Sequence, residues 1–246
     1  MAAVMRFENF SYTHPGATAP VIRGLTLDIH AGSFVAIVGG SGVGKSTLLR
    51  AAAGLTEPGS GSVRFEARPK PGCRARAVVF QDSRLLPWRR VGANVAYGLE
   101  GLGLSGEEKR HRARQALALT GMEGLDNRWP HQLSGGQAQR VGIARALAVK
   151  PDLLLMDEPF SAVDAITRRM LQGELIRAWQ STGAAVLFVT HDIEEAVFLA
   201  DRVIVLGGHP AGVAGIHDIP LARPRNRALP DFAQNVAQIS HILEHA

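Results

Sequence analysis

Several features that would place the chain in a class are scarce. It has a single cysteine, Cys73, which excludes an internal disulfide and fits a reducing cytosol. That cysteine lies in RPKPGCRAR with no histidine nearby, so a thiolate nucleophile lacks an adjacent base and is not expected. Long apolar runs are missing too. Phe34 to Val38, Leu153 to Met156 and Ala184 to Val189 fall far short of the ~20 residues that span a bilayer, so the chain is not expected to cross a membrane by itself. The opening MAAVMRFENF has no basic segment followed by an apolar stretch, and no secretory signal is expected. Nor is charge concentrated. Lys and Arg number 27 against 22 Asp and Glu, a net +5, which permits contact with nucleic acid or anionic lipid. The arginines, however, fall in small groups: Arg89 with Arg90, Arg168 with Arg169, and Arg223, Arg225 and Arg227 at alternate positions. These read as solvated surface rather than a nucleic-acid groove, and no nucleic-acid partner is expected.

Glycine is plentiful, 27 of 246 residues, which is about 11% against a usual ~7% and implies many turns or close backbone approaches. The length suits one domain, or one large domain carrying a smaller lobe. Residues 21–29 alternate as a strand does, and Phe34 to Val38 is a continuous apolar run closed by Gly39 and Gly40. Residues 45–53 are mostly strong helix formers stopped by Gly54. Further strands are expected at 62–66, 75–80, 152–156, 184–190 and 202–206; several are apolar throughout, as strands buried on both faces are. The stretch 165–182 sets Leu171, Leu175, Ala178 and Trp179 on one helical face before Gly183. From 86 to 150 no strand pattern appears and helices are expected at 107–120 and 136–149, so this segment reads as a helical lobe inserted into an α/β core. After Gly207 the tail carries Pro and Arg and turns weakly helical from about 231.

Residues 39–47 read GGSGVGKST: Gly39, Gly40, Ser41, Gly42, Val43, Gly44, Lys45, Ser46, Thr47. The pattern is GxxxxGK followed by Ser or Thr, between an expected strand and an expected helix. Small residues let main-chain N–H groups turn inward around phosphate oxygens, and the helix offers its positive end. Lys45 is placed to bridge terminal phosphates, and Ser46 to give Mg²⁺ a hydroxyl ligand. A dinucleotide loop is excluded because the glycines are not spaced GxGxxG. The run LLLMDEP at 153–159 ends a strand in Asp157, at the edge where open α/β sheets bind ligands, and this carboxylate suits Mg²⁺. Glu158 follows, where a carboxylate can orient the water that attacks a γ-phosphate.

With LSGGQ at 133–137 in addition, the chain resembles the ATP-binding-cassette (ABC) ATPases. Along nearly its whole length it shows, in order, Tyr12, the phosphate loop, Gln81 in VVFQD, the LSGGQ signature, MDEP, SAVD at 161–164, and VTHD with His191. The resemblance implies an α/β P-loop NTPase fold, a RecA-like core with an antiparallel β edge and an inserted helical signature subdomain. It places a single ABC ATPase domain at 1–230, with core 1–85 and 151–210 and the helical subdomain at about 86–150, followed by an extension at 208–246. It also implies roles. Tyr12 stacks on adenine, with a core aromatic as the alternative. Gln81 touches Mg²⁺ or the attacking water and links core to lobe. Ser134, Gly135, Gly136 and Gln137 bind the γ-phosphate of ATP held by a second copy of the chain, and Asp164 lies in the loop at that dimer interface. His191 hydrogen-bonds the γ-phosphate and keeps the water and Glu158 in register. The departures, Val163 in SAVD and Ala138 after the signature, touch no chemistry.

The same resemblance implies ATP and Mg²⁺ as ligands, a homodimer, two separate permease subunits, and a periplasmic binding protein reached indirectly. Such a subunit lies peripherally on the cytoplasmic face of a bacterial inner membrane. The segments QDSRLLPWRRVGANVAYGL at 81–99 and LARPRNRALPDF at 221–232 look like the nitrate, taurine and aliphatic-sulfonate import group, aliphatic sulfonate foremost, with Leu85, Leu86, Pro87 and Trp88 at the permease groove. Alternatives are the same motor for taurine, nitrate or another small solute, a cassette from a polar amino-acid, metal or lipid transporter, and a soluble cassette that uses nucleotide-driven dimerisation as a clamp on nucleic acid or protein.

Overall fold

The structure, a computed structural model, describes residues 2–67, 70–161 and 163–246. Along the chain these form β1 (Ala3–Tyr12), β2 (Ile22–His30), β3 (Phe34–Gly39), α1 (Lys45–Ala52), β4 (Ser60–Phe65), β5 (Arg76–Val79), α2 (Val91–Tyr97), α3 (Gly106–Leu119) and α4 (Gly135–Ala148). There follow β6 (Leu153–Asp157), α5 (Ala165–Thr182), β7 (Ala185–Val189), α6 (Ile193–Leu199), β8 (Arg202–Gly207), β9 (Gly212–Asp218) and α7 (Pro230–Glu244).

The chain forms two compact units, Met1–Ala67 with Ala185–Ala246, and Arg68–Ala184. In the first, β3 pairs in parallel with β7 and β8, and β9 closes the edge antiparallel to β8. Every residue of β3 and β7 is buried, as parallel strands covered on both faces require. Separately, β1 pairs antiparallel with β2 and β4. Its sequence AVMRFENFSY does not keep a period of two, because the register shifts between Phe7 and Phe10 at a bulge where Asn9 takes φ 48°. The bulge lets Phe7 and Phe10 both face inward, rings edge-on at 5.6 Å, and it hides this strand from an alternation count.

The tail beyond 207 is built into the first unit. Strand β9 pairs with β8, and α7 packs on β8, β9 and α6. Gly215 is needed there, since a Cβ would stand 2.6 Å from Ile242 Cγ2. The alternate arginines of this tail are not a solvated face. Arg225 is 7% exposed, and its guanidinium donates to the carbonyls of Val197, Phe198 and Ala200 at 2.6, 3.3 and 2.6 Å and to Leu221 at 3.1 Å. It thus closes the end of α6, where orphan carbonyls favour a cation. Arg223 binds the Asp201 carboxylate and the Leu199 carbonyl, and Arg227 lies 3.7 Å over the Phe198 ring.

In the second unit β5 and β6 pair in parallel, and α2, α3 and α4 pack on one another. Among the described residues no strand lies between 86 and 150. The compact units nevertheless divide at 67/68 and 184/185 rather than where the helical character begins and ends. The reason is local bonding: β5 and β6 pair with each other, the turn after β5 is bonded to α4, and α5 packs on α3 and α4.

Candidate functional site

The phosphate loop grows from the end of β3. Gly39 has no room for a side chain, because a Cβ would stand 2.8 Å from the Leu206 carbonyl oxygen and from Val43 Cγ1. Gly42 and Gly44 take φ 78° and 107°, a region closed to ordinary L-residues, and so fold the chain back into α1. Lys45 is buried, and its Nζ donates to the carbonyls of Gly39 and Gly40 at 2.9 Å each, spanning the loop. Ser41 and Ser46 are exposed and Thr47 is half-buried. The N-cap of α1 is Gly44, with no side chain to cover the helix start, and no acidic residue sits in the first turn. Such a helix end favours an anion.

Two other expected residues belong to the same unit. Ile37 pairs with Val189 across the parallel β3 and β7 strands, and the Thr190 N–H continues the ladder to the Ile37 carbonyl at 3.1 Å. His191, two residues past Val189, therefore emerges at the same carboxyl edge as Gly39, two past Ile37, and is exposed. Tyr12 ends β1, half-buried, with its ring edge-on to His14 at 5.1 Å. Its carbonyl accepts from the Val21 N–H at 2.8 Å, and Val21 Cγ1 lies 3.0 Å from where a Cβ of Gly44 would stand.

The second unit gathers the rest. Val79 pairs with Met156 across β5 and β6, so Gln81 and Glu158, each two residues further on, leave the same edge. Gln81 is exposed; Asp157 and Glu158 are half-buried. Glu158 has φ 42°, a left-handed conformation unusual for a non-glycine residue, more so before proline. Its carbonyl is held by Ser161, from the N–H at 3.2 Å and the hydroxyl at 3.0 Å. Strain of this kind persists only where surroundings impose it.

The turn after β5 is fastened to α4: Gln139 donates to the Phe80 carbonyl at 3.0 Å, and Arg145 to the Ser83 and Arg84 carbonyls at 2.7 and 2.9 Å. At the other end of α4 stands the signature. Ser134 is the N-cap, its hydroxyl accepting from the Gln137 N–H at 3.3 Å while its own N–H donates to Gln137 Oε1 at 3.0 Å. This reciprocal box fixes Gly135 and Gly136 in the first helical turn. A Cβ on Gly136 would meet Thr167 Cγ2 at 2.9 Å, so the glycine lets α5 approach. Asp164 caps α5, accepting from Ile166 and Thr167 N–H at 3.2 and 3.0 Å, and the Thr167 N–H holds its carboxyl below the ordinary value. Ala162 of SAVD lies outside the described residues.

Some residues that shape the site are given no role by the motifs that contain or flank them. Asn94, fully buried, accepts from the Leu86 N–H at 2.7 Å and donates to the Leu86 and Arg89 carbonyls at 3.1 and 2.8 Å. It thereby holds the turn that leaves Trp88 71% exposed. Thr190 and Glu195, beside His191, are buried as well. The one signal for Glu195 was the Asp-x-x-Glu spacing of a helix start at Asp192.

Against known families, residues 22–161 match the model described as ABC transporter. The chain belongs to the ABC transporter family. The taurine import ATP-binding protein of Pseudomonas savastanoi pv. phaseolicola is 48% identical over 213 residues, 86% of this chain and 82% of that protein. An uncharacterised ABC transporter ATP-binding protein of Methanocaldococcus jannaschii is 41% identical over 99% of this chain and 92% of its own. Among solved structures, the ATP-binding cassette MJ0796, dimeric in a post-hydrolysis state with ADP and Pi, has 31% identity and a TM-score of 0.75, covering 89% of this chain and 100% of that one. CbiO1 of Clostridium perfringens, part of the complex CbiONQ, has 28% identity and a TM-score of 0.80 over 99% and 100%. The cassette is thus an ABC ATPase with the P-loop NTPase fold and an ATP-binding domain. No described helix is long and apolar enough to cross a membrane.

Proposed function

We propose that this cassette is the ATP-hydrolysing subunit of an importer of aliphatic sulfonates, with the same motor serving taurine, an aminoethanesulfonate, as the second reading. The observation that supports the importer group, and that favours taurine within it, is the identity of 46–48%, over 86% of the chain, to several Pseudomonas taurine import ATP-binding proteins. The subunit works as a homodimer on the cytoplasmic face of the membrane, bound to two permease subunits that receive solute from a periplasmic binding protein. Trp88, exposed on the turn held by Asn94, supplies an apolar contact to the permease.

Within the cycle, Tyr12 stacks on adenine. The N–H groups from Gly39 to Thr47 wrap the phosphates, and Lys45 exchanges its loop carbonyls for the terminal phosphate oxygens. Ser46, Gln81 and Asp157 offer a hydroxyl, an amide oxygen and a carboxylate; all are hard oxygen donors and suit Mg²⁺. The ion, when bound, neutralises charge developing on the phosphates. Glu158 orients the attacking water, and His191 hydrogen-bonds the γ-phosphate. Ser134, Gly135, Gly136 and Gln137 of the second copy close over that phosphate, with Asp164 at the interface. ATP binding draws the dimer shut, the permease follows, and hydrolysis reopens it.

The test is ATPase activity in vesicles holding this chain with its own permease and binding protein, given taurine, longer alkanesulfonates and nitrate in turn. Stimulation by the sulfonates supports the proposal, and their ranking names the preferred cargo. Stimulation by nitrate alone, or by none with the complex assembled, overturns it.

A further inference from the structure

We infer that Thr190 and Glu195 form a buried latch that positions His191, a role resting on the reading of His191 given above. His191 is exposed, but the residues around it are not: Thr190 and Glu195 are 2% and 5% exposed. The Thr190 hydroxyl donates to Glu195 Oε2 at 2.5 Å and accepts from the Asp192 N–H at 3.0 Å. One hydroxyl thus bridges the turn on whose crest His191 stands. The Thr190 N–H is bonded to Ile37 of β3, the strand that runs into the phosphate loop. Asp192 in turn is the N-cap of α6, its Oδ1 accepting from the Glu195 N–H at 3.1 Å and its carbonyl from the Ala196 N–H at 3.1 Å.

The main chain on both sides of His191 is therefore tied down, on one side to the sheet and on the other to the helix. Glu195 joins the two by binding a hydroxyl from inside the fold. A carboxylate in a buried place is costly unless it accepts strong hydrogen bonds, and the Thr190 hydroxyl supplies one to Glu195. A histidine that must meet a phosphate oxygen within a few tenths of an ångström gains from such a frame, since misplacement of about 1 Å can cost ~100-fold in rate. Thr190 and Glu195, being buried, are positioning residues and act through His191.

The test uses the full chain and compares Thr190→Val, Thr190→Ser, Glu195→Ala, Glu195→Gln and His191→Ala, with kcat, KM for ATP and thermal melting for each. Thr190→Val and Glu195→Ala are expected to lower kcat about 10- to 100-fold with KM within about twofold. Thr190→Ser and Glu195→Gln keep a hydroxyl and an acceptor and are expected to stay within about threefold of the parent. In the His191→Ala background, Thr190→Val is expected to add no further loss, because the latch has nothing left to place. If His191→Ala is inactive while Thr190→Val, folded and binding ATP, retains full kcat, the latch is overturned and the His191 reading stands. Additive losses in the double variant also overturn the latch. If His191→Ala hydrolyses at the parental rate, the His191 reading fails, and the latch with it. Should Glu195→Ala not fold, Thr190→Val against Thr190→Ser decides the question alone.

Discussion

Replacing Arg225 by methionine keeps most of the apolar stem of the side chain, two heavy atoms shorter, while removing its donors. The two shortest bonds, to the Val197 and Ala200 carbonyls at 2.6 Å, come from a charged group and stabilise by ~2 kcal/mol each, about 4 kcal/mol together. The longer bonds to Phe198 and Leu221 add a smaller amount. Against this stands the dehydration of the guanidinium, which is 7% exposed and whose pKa burial pushes down to about 10; it is still a cation at neutral pH. Methionine is spared that cost, so the net expected loss is about 2–4 kcal/mol. For a chain of this size that is a fall in Tm of roughly 5–15 °C. Urea denaturation and thermal melting of Arg225→Met measure it, with Arg227→Ala as control, where loss of the contact over Phe198 costs ~0.5–1 kcal/mol. A loss below about 1 kcal/mol for Arg225→Met, or one equal to the control, refutes the reasoning that the α6 terminus is closed by this residue.

Other expectations are simpler. Lys45→Ala weakens ATP binding at least ~100-fold in equilibrium titration, because a charge-assisted contact is lost where main-chain N–H groups alone remain. Glu158→Gln lowers kcat about 100- to 1,000-fold while ATP binding persists, and ATP-dependent dimer accumulates on size exclusion. An unaltered rate removes Glu158 from its role. Asp164 has a folded-state pKa below its ordinary 3.8, chiefly through the Thr167 N–H. Its contribution is therefore present in full above about pH 5 and lost as pH falls through the lowered value. The stability gap between parent and Asp164→Ala is expected at neutral pH and narrows as acidification protonates the carboxylate; a gap that widens on acidification contradicts the assigned cap.

What the sequence by itself determined was the set of short, sterically forced motifs and the strands buried on both faces. Gly42 and Gly44 are legible because only glycine takes their φ values without strain, and Phe34 to Val38 because a continuous apolar run has one place to go. The helix at 165–182 and the LSGGQ segment before a helix are local features, set within a few turns of chain. Tertiary structure decided what local pattern could not carry. The bulge at Asn9 removed the alternation of β1, and β9 is a half-polar segment that becomes a strand only because β8 offers an edge. The arginines of the tail read as surface by composition, yet Arg225 is buried because the carbonyls at the end of α6 face it. Thr190 lies inside VTHD and Asn94 inside the 81–99 segment, yet neither carries chemistry there, and Glu195 shows only as part of a helix start; the work of all three is to hold other residues. Such residues are selected by three-dimensional neighbours, and their positions along the chain do not announce them.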